Sequence, residues 1–165
     1  MINKTFRYTQ NTAQLEVEGV PDFSLGQIGE TIGIVSSWRL ELIGTPELEG
    51  KREHLQSLMQ VVLPYARHQI SGVCRSFGDQ FSPVEISTCA TGHKLLLRSS
   101  KEGIEPLSFV LDDSQLADLI RCLDDLRLDS NVLIDWEIPL DLPLNRKEIA
   151  NKTTFIQRYT APVVG

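Results

Sequence analysis

Residues 34–73 read IVSSWRLELIGTPELEGKREHLQSLMQVVLPYARHQISGV, and the spacing of apolar residues changes period within them. From Ile34 to Ile43, Trp38, Leu40 and Leu42 alternate with Arg39 and Glu41, the two-residue period of a strand with one buried face. Gly44-Thr45-Pro46 ends the alternation. From Lys51 to Val73, Leu55, Leu58, Met59, Val62, Ala66, Ile70 and Val73 recur every three or four residues, the stripe of an amphipathic helix. Pro64 has no N–H to donate and would crowd the carbonyl of Gln60, so a kink or break is expected there. His54 and His68 fall off the stripe and are expected in solvent. Trp38 is expected to anchor the core between sheet and helix.

Upstream, Phe6–Tyr8 and Ala13–Glu18 read as a hairpin about Gln10-Asn11, with Leu15 and Val17 on its apolar face. Pro21 to Gly33 carries Pro21, Gly26, Gly29 and Gly33 and reads as an irregular excursion. Downstream, Val84–Cys89 and His93–Arg98 form a second hairpin, turning at Thr91-Gly92. Leu107–Leu111 is a further strand. Asp113 or Ser114 then caps a helix whose stripe is Leu116, Leu119, Ile120, Leu123 and Leu126.

The order strand, strand, strand, helix thus occurs twice, at about residues 1–78 and 79–130. The expected class is α+β: antiparallel sheet packed by two main helices, in duplicated strand-strand-strand-helix units. Residues 1–135 form the α+β domain. Residues 136–165 form an extended arm and a basic tail. In the arm, Ile138, Leu140, Leu142 and Leu144 alternate with Pro139, Asp141 and Pro143, which places four apolar side chains on one side of an extended segment. Two prolines bar it from the centre of a sheet.

The chain has 165 residues and net charge −6, a balance that repels phosphate backbones at long range. Charge is divided unevenly. Glu105 to Asp141 carries ten acids against two bases, net −8; Asn145 to Gly165 carries Arg146, Lys147, Lys152 and Arg158 against Glu148, net +3. Phe155, Ile156 and Tyr159 give the tail apolar anchors. No apolar run approaches the roughly 20 residues of a membrane span, and none follows Lys4 and Arg7 as a leader would require, so a cytoplasmic chain is expected. Three widely spaced cysteines, Cys74, Cys89 and Cys122, fit reduced thiols better than a disulfide framework.

Catalytic signatures are not legible: there is no phosphate-binding loop, dinucleotide fingerprint or nucleophile elbow. Cys89 and His93 flank the second turn and are the one pair that zinc binding or a thiolate nucleophile could use. The plainer reading makes Cys89 a core residue and His93 a surface one. The adjacent acids Asp112-Asp113 and Asp124-Asp125 point about 100° apart on a helix, so they read as a cap and a solvated face rather than a carboxylate dyad.

Tyr8-Thr9, the run Ala13-Gln14-Leu15-Glu16-Val17-Glu18-Gly19, Trp38-Arg39-Leu40-Glu41-Leu42, the helix from Leu55 to Val73 and Ser114-Gln115-Leu116-Ala117-Asp118-Leu119 together resemble a cyanobacterial family, domain of unknown function 4335. The resemblance runs through about Asp129. It implies a photosynthetic cell, with the protein in the cytoplasm or at the thylakoid surface in an accessory role. It implies no activity and no cofactor.

The functional expectation is a non-catalytic interaction or assembly factor that docks a protein partner through its arm or sheet face. The candidate contact residues are Ile138, Leu140, Leu142 and Leu144 of the arm, and Arg146, Lys147, Phe155, Ile156, Arg158 and Tyr159 of the tail. A homodimer is one form such docking takes. The alternatives are a single-stranded nucleic-acid binder using Trp38 and Arg39, which the acidic balance disfavours, and a small-molecule-binding domain.

Overall fold

A computed structural model describes residues 3–138. The first half holds β1 (Lys4–Thr9), β2 (Ala13–Val20), β3 (Ile34–Leu42), β4 (Leu48–Gly50) and α1 (Arg52–Ser71). The second holds β5 (Val84–Cys89), β6 (Gly92–Leu97), β7 (Leu107–Leu111) and α2 (Asp113–Leu128). The strands form two antiparallel sheets, β1-β2-β3-β4 and β5-β6-β7, each a meander in chain order. The α+β class and the two sheet-then-helix units are as the sequence implies. The four-stranded sheet contains one strand more than expected, because β4 spans only three residues and shows no period.

Register explains the alternation in the first sheet. Phe6 faces Val17, which faces Trp38, which faces Gly50; two residues along, Tyr8, Leu15, Leu40 and Leu48 form the next inward row. On the outer face Arg7, Glu16, Arg39 and Glu49 stand in line across all four strands, so charges alternate. Arg7 bonds Glu16 at 2.8 Å and Arg39 bonds Glu47 at 2.8 Å. A bulge at Glu18/Gly19 shifts register, which lets both Val35 and Trp38 face inward although they are three apart.

The helices cross between the halves. α1 packs against β5 of the second sheet as well as β3 and β4 of its own, and α2 lies chiefly on β2 and β1 of the first sheet. One continuous core results, from Leu15, Val17 and Trp38 through Leu58, Met59 and Tyr65 to Leu95, Leu119 and Leu123.

This crossing accounts for the departures in α1. The helix is covered on more than one side, so Val61, Leu63, Pro64 and Tyr65 are buried beyond the expected stripe. The helix runs unbroken through Pro64. Neither histidine is solvated. His68 is buried and donates from Nδ1 to the Val73 carbonyl at 2.9 Å; His54 is half-buried and donates from Nε2 to the Arg98 carbonyl at 2.9 Å. Ile70, placed in the stripe by spacing, is 89% exposed. Gly72 then ends the helix in the left-handed conformation, its N–H returned to Gln69 and His68 carbonyls.

In α2 the cap is Asp112, one residue before the expected position. Its carboxylate accepts the Gln115 N–H at 2.7 Å, and the Gln115 side chain accepts the Asp112 N–H at 2.9 Å, a reciprocal box. The chain after α2 returns to the first half. Val132 bridges Ile32, Trp136 is buried, and the Trp136 carbonyl accepts Gln60 Nε2 at 3.2 Å. The start of the segment assigned to the arm is therefore bound to the core.

Candidate functional site

The β5–β6 hairpin decides what Cys89 and His93 do. Their strands pair Thr88 with His93 and Cys89 with Gly92. Alternation therefore places Thr88 and His93 on one face and Cys89 on the other. The plainer sequence reading was reversed: His93 is buried and Cys89 half-buried. Gly92 is needed at the turn, since a Cβ there would lie 2.3 Å from the Leu111 carbonyl oxygen, at φ 152°.

Both His93 nitrogens are taken by other groups. Nε2 bonds Asp113 Oδ1 at 2.7 Å, and Nδ1 bonds the Tyr65 hydroxyl. A carboxylate only accepts, so Nε2 carries a proton, and in the neutral imidazole Nδ1 accepts from Tyr65. The Tyr65 oxygen then accepts from Thr88 Oγ1 at 3.0 Å, and Thr88 accepts Gln69 Nε2 at 3.1 Å. One polar chain thus joins α2, β6, α1 and β5. Tyr65 is fully buried, and burial raises its pKa above the ordinary phenol value. Asp113, in contrast, is 97% exposed along its side chain. None of these residues lines the cleft between the two halves described below. The arrangement can orient an imidazole and relay a proton.

A second set of polar contacts ties α2 to the β1–β2 hairpin. The Asp118 carboxylate is buried and accepts the Thr12 hydroxyl at 2.7 Å and the Thr12 N–H at 2.9 Å. These bonds, the hydroxyl first, hold its pKa below the usual carboxylate value. Tyr8 donates to Asp129 at 2.7 Å. Cys122 is buried beneath the hairpin, and desolvation pushes its thiol up to about 11. The Cys89 thiol goes the other way, lowered mainly by the Thr91 N–H. Among the described residues, no group of three or more His, Cys, Asp or Glu is placed to hold a metal ion.

A cleft of about 810 Å³ lies where the two halves meet. Trp38, Lys51, His54, Arg98, Lys101 and Glu105 contribute to its walls. Both charge signs line it, and it is open. Trp38 presents little to it: the indole is 2% exposed and donates to the Lys51 carbonyl at 2.8 Å, the core anchor expected from sequence. An indole so placed cannot stack on a base, and Arg39 beside it is committed to Glu47.

The third feature was not legible beforehand. The excursion after β2 is built as an ordered turn. Asp22 accepts from Ser24, Gln27 Oε1 accepts the Asp22 N–H at 2.9 Å, Gln27 Nε2 reaches the Leu133 carbonyl, and Gly33 donates to Val20 at 2.9 Å. Yet this fixed turn holds Phe23, Leu25 and Ile28 in solvent. Of the residues assigned to partner contact, Ile138 packs partly buried against the core. Leu140, Leu142, Leu144, Arg146, Lys147, Phe155, Ile156, Arg158 and Tyr159 lie outside the described residues.

The architecture defines an α+β protein of two antiparallel meanders with crossed helices. A family model described as Domain of unknown function (DUF4335) matches residues 6–165, and the chain belongs to that family. The match passes Asp129 and includes the arm and tail. No curated protein and no solved structure matches the chain. Among the described residues, no helix is long and apolar enough to cross a membrane.

Proposed function

We propose that this protein is a non-catalytic interaction or assembly factor, which docks a protein partner through the turn after β2 and the segment from residue 136 onward. The observation that supports this is the ordered turn with Phe23, Leu25 and Ile28 in water. Burying one such side chain is worth about 1.5–3 kcal/mol, so a hydrogen-bonded scaffold that withholds three of them forgoes stability that a partner's surface would restore. On the resemblance noted from sequence, the setting is a cyanobacterial photosynthetic cell, in the cytoplasm or at the thylakoid surface. A second copy of the chain is one partner this reading admits.

The test is capture from native lysate with the full chain, comparing the wild type with the triple variant Phe23→Ser/Leu25→Ser/Ile28→Ser and with Leu140→Asp/Leu142→Asp. A partner held by the wild type and lost from both variants, with their thermal unfolding unchanged, is the expected result. A partner retained by both variants would refute the reading.

A further inference from the structure

Of twelve large apolar side chains exposed among the described residues, six come from two neighbouring segments, and Ile43, Ile70, Phe81, Ile104, Leu107 and Val110 lie elsewhere. Phe23, Leu25 and Ile28 are 55%, 73% and 77% exposed, and Ile34, Leu128 and Leu133 are the other three of the six. All six lie on two segments, residues 21–34 and 128–138. These segments are joined directly: Ile32 donates to the Asn131 carbonyl at 2.9 Å, Leu133 donates to the Ile32 carbonyl at 2.8 Å, and Gln27 reaches the Leu133 carbonyl. The exposed side chains therefore belong to one supported platform rather than to unrelated loops.

Charge on the platform has one sign. The two segments carry Asp22, Glu30, Asp129, Asp135 and Glu137 and no Lys, Arg or His. Two bases adjoin it and both are paired: Lys4 of β1 with Glu30 at 2.8 Å, and Arg127, next to Leu128, with Asp124 at 3.0 Å. Carboxylates around an apolar patch repel phosphate, whether of nucleic acid or of an anionic lipid, and attract lysine and arginine.

We infer that the platform is a docking surface for a protein face that presents apolar side chains within a basic rim. The inference rests on the proposed interaction role and specifies the chemistry of the partner. Apolar contact supplies affinity, while the acidic rim selects the partner and excludes membranes and nucleic acid.

Two synthetic amphipathic peptides test it. Both carry the same leucine and phenylalanine positions; one has lysine at every polar position and the other glutamate. Backbone amide shifts of the isotope-labelled full chain are followed during titration at low and high salt. The lysine peptide is expected to move amides within 21–34 and 128–138, with affinity falling about tenfold or more at high salt. The glutamate peptide and phosphatidylglycerol vesicles are expected to move none. Phe23→Ser/Leu25→Ser/Ile28→Ser removes the apolar contact. Glu137→Lys leaves the apolar side chains in place and weakens the lysine peptide by charge alone. Shifts that map elsewhere, equal binding of the glutamate peptide, or binding to the vesicles would overturn the inference. If lysate capture still depends on Phe23, Leu25 and Ile28 while the peptides fail, the interaction role stands and the basic-rimmed partner does not.

Discussion

Removal of one oxygen atom tests the polar chain through the core. Tyr65→Phe keeps the ring and deletes the hydroxyl that sits between His93 Nδ1 and Thr88 Oγ1. Thr88 is exposed and takes water in exchange. His93 is buried, and its Nδ1 loses its partner. A buried acceptor left unpaired costs about 1–3 kcal/mol. For a chain of this length each kcal/mol lowers the unfolding midpoint by roughly 2–4 °C, so a drop of about 2–12 °C is expected. Urea unfolding of Tyr65→Phe, His93→Leu and the double variant separates this effect from simple loss of packing. With His93 replaced there is no acceptor to orphan, and Tyr65→Phe should then cost less than about 0.5 kcal/mol. Thr88→Val and Asp113→Asn, both at solvent, should each cost less than about 1 kcal/mol. If the two core substitutions add without coupling, the continuous chain from α2 to β5 is wrong.

Three further outcomes are expected. Gly92→Ala should destabilise by about 1–3 kcal/mol in equilibrium unfolding, because its Cβ would press on the Leu111 backbone oxygen at 2.3 Å; wild-type stability would remove that close approach. Asp118 has a folded-state pKa below its unfolded value, so its contribution is in place above about pH 4 and is lost as pH falls through the folded value; Asp118→Asn should flatten that acid limb in urea midpoints, and an unchanged slope would count against the Thr12 contacts. Under native conditions a thiol reagent should label Cys74 and Cys89 and spare Cys122 until denaturant is added, whereas equal rates for all three would contradict the burial of Cys122.

Local order was legible where the period was long. Residues 34–43 and 51–73 announce a strand and a helix because each repeats its pattern over several turns of the chain. What the sequence hides is which polar residue goes inside. His93 looks like a surface residue beside a turn, and only Tyr65 and Asp113, 28 and 20 residues away, make its burial affordable. Nothing in the spacing singles out Asp118, which is buried only because Thr12, from the other half, meets it. The Asp112 cap was misplaced by one residue because three successive polar residues all suit that role. The platform was missed for another reason: Pro21 to Gly33 has the composition of a passive loop, and its function as a scaffold depends on Gln27 reaching a backbone carbonyl more than a hundred residues on.

The crossing of the helices has a consequence for how the molecule is made. During synthesis the first sheet emerges early, but the helix that covers β1 and β2 is α2, encoded near the end of the described chain. Until then Leu15 and Val17 lack their lid, and the nascent first half exposes a sticky surface on the ribosome. Neither half should fold when expressed alone. Two fragments divided between Gly72 and Val84 should instead assemble when mixed, each lending its helix to the other.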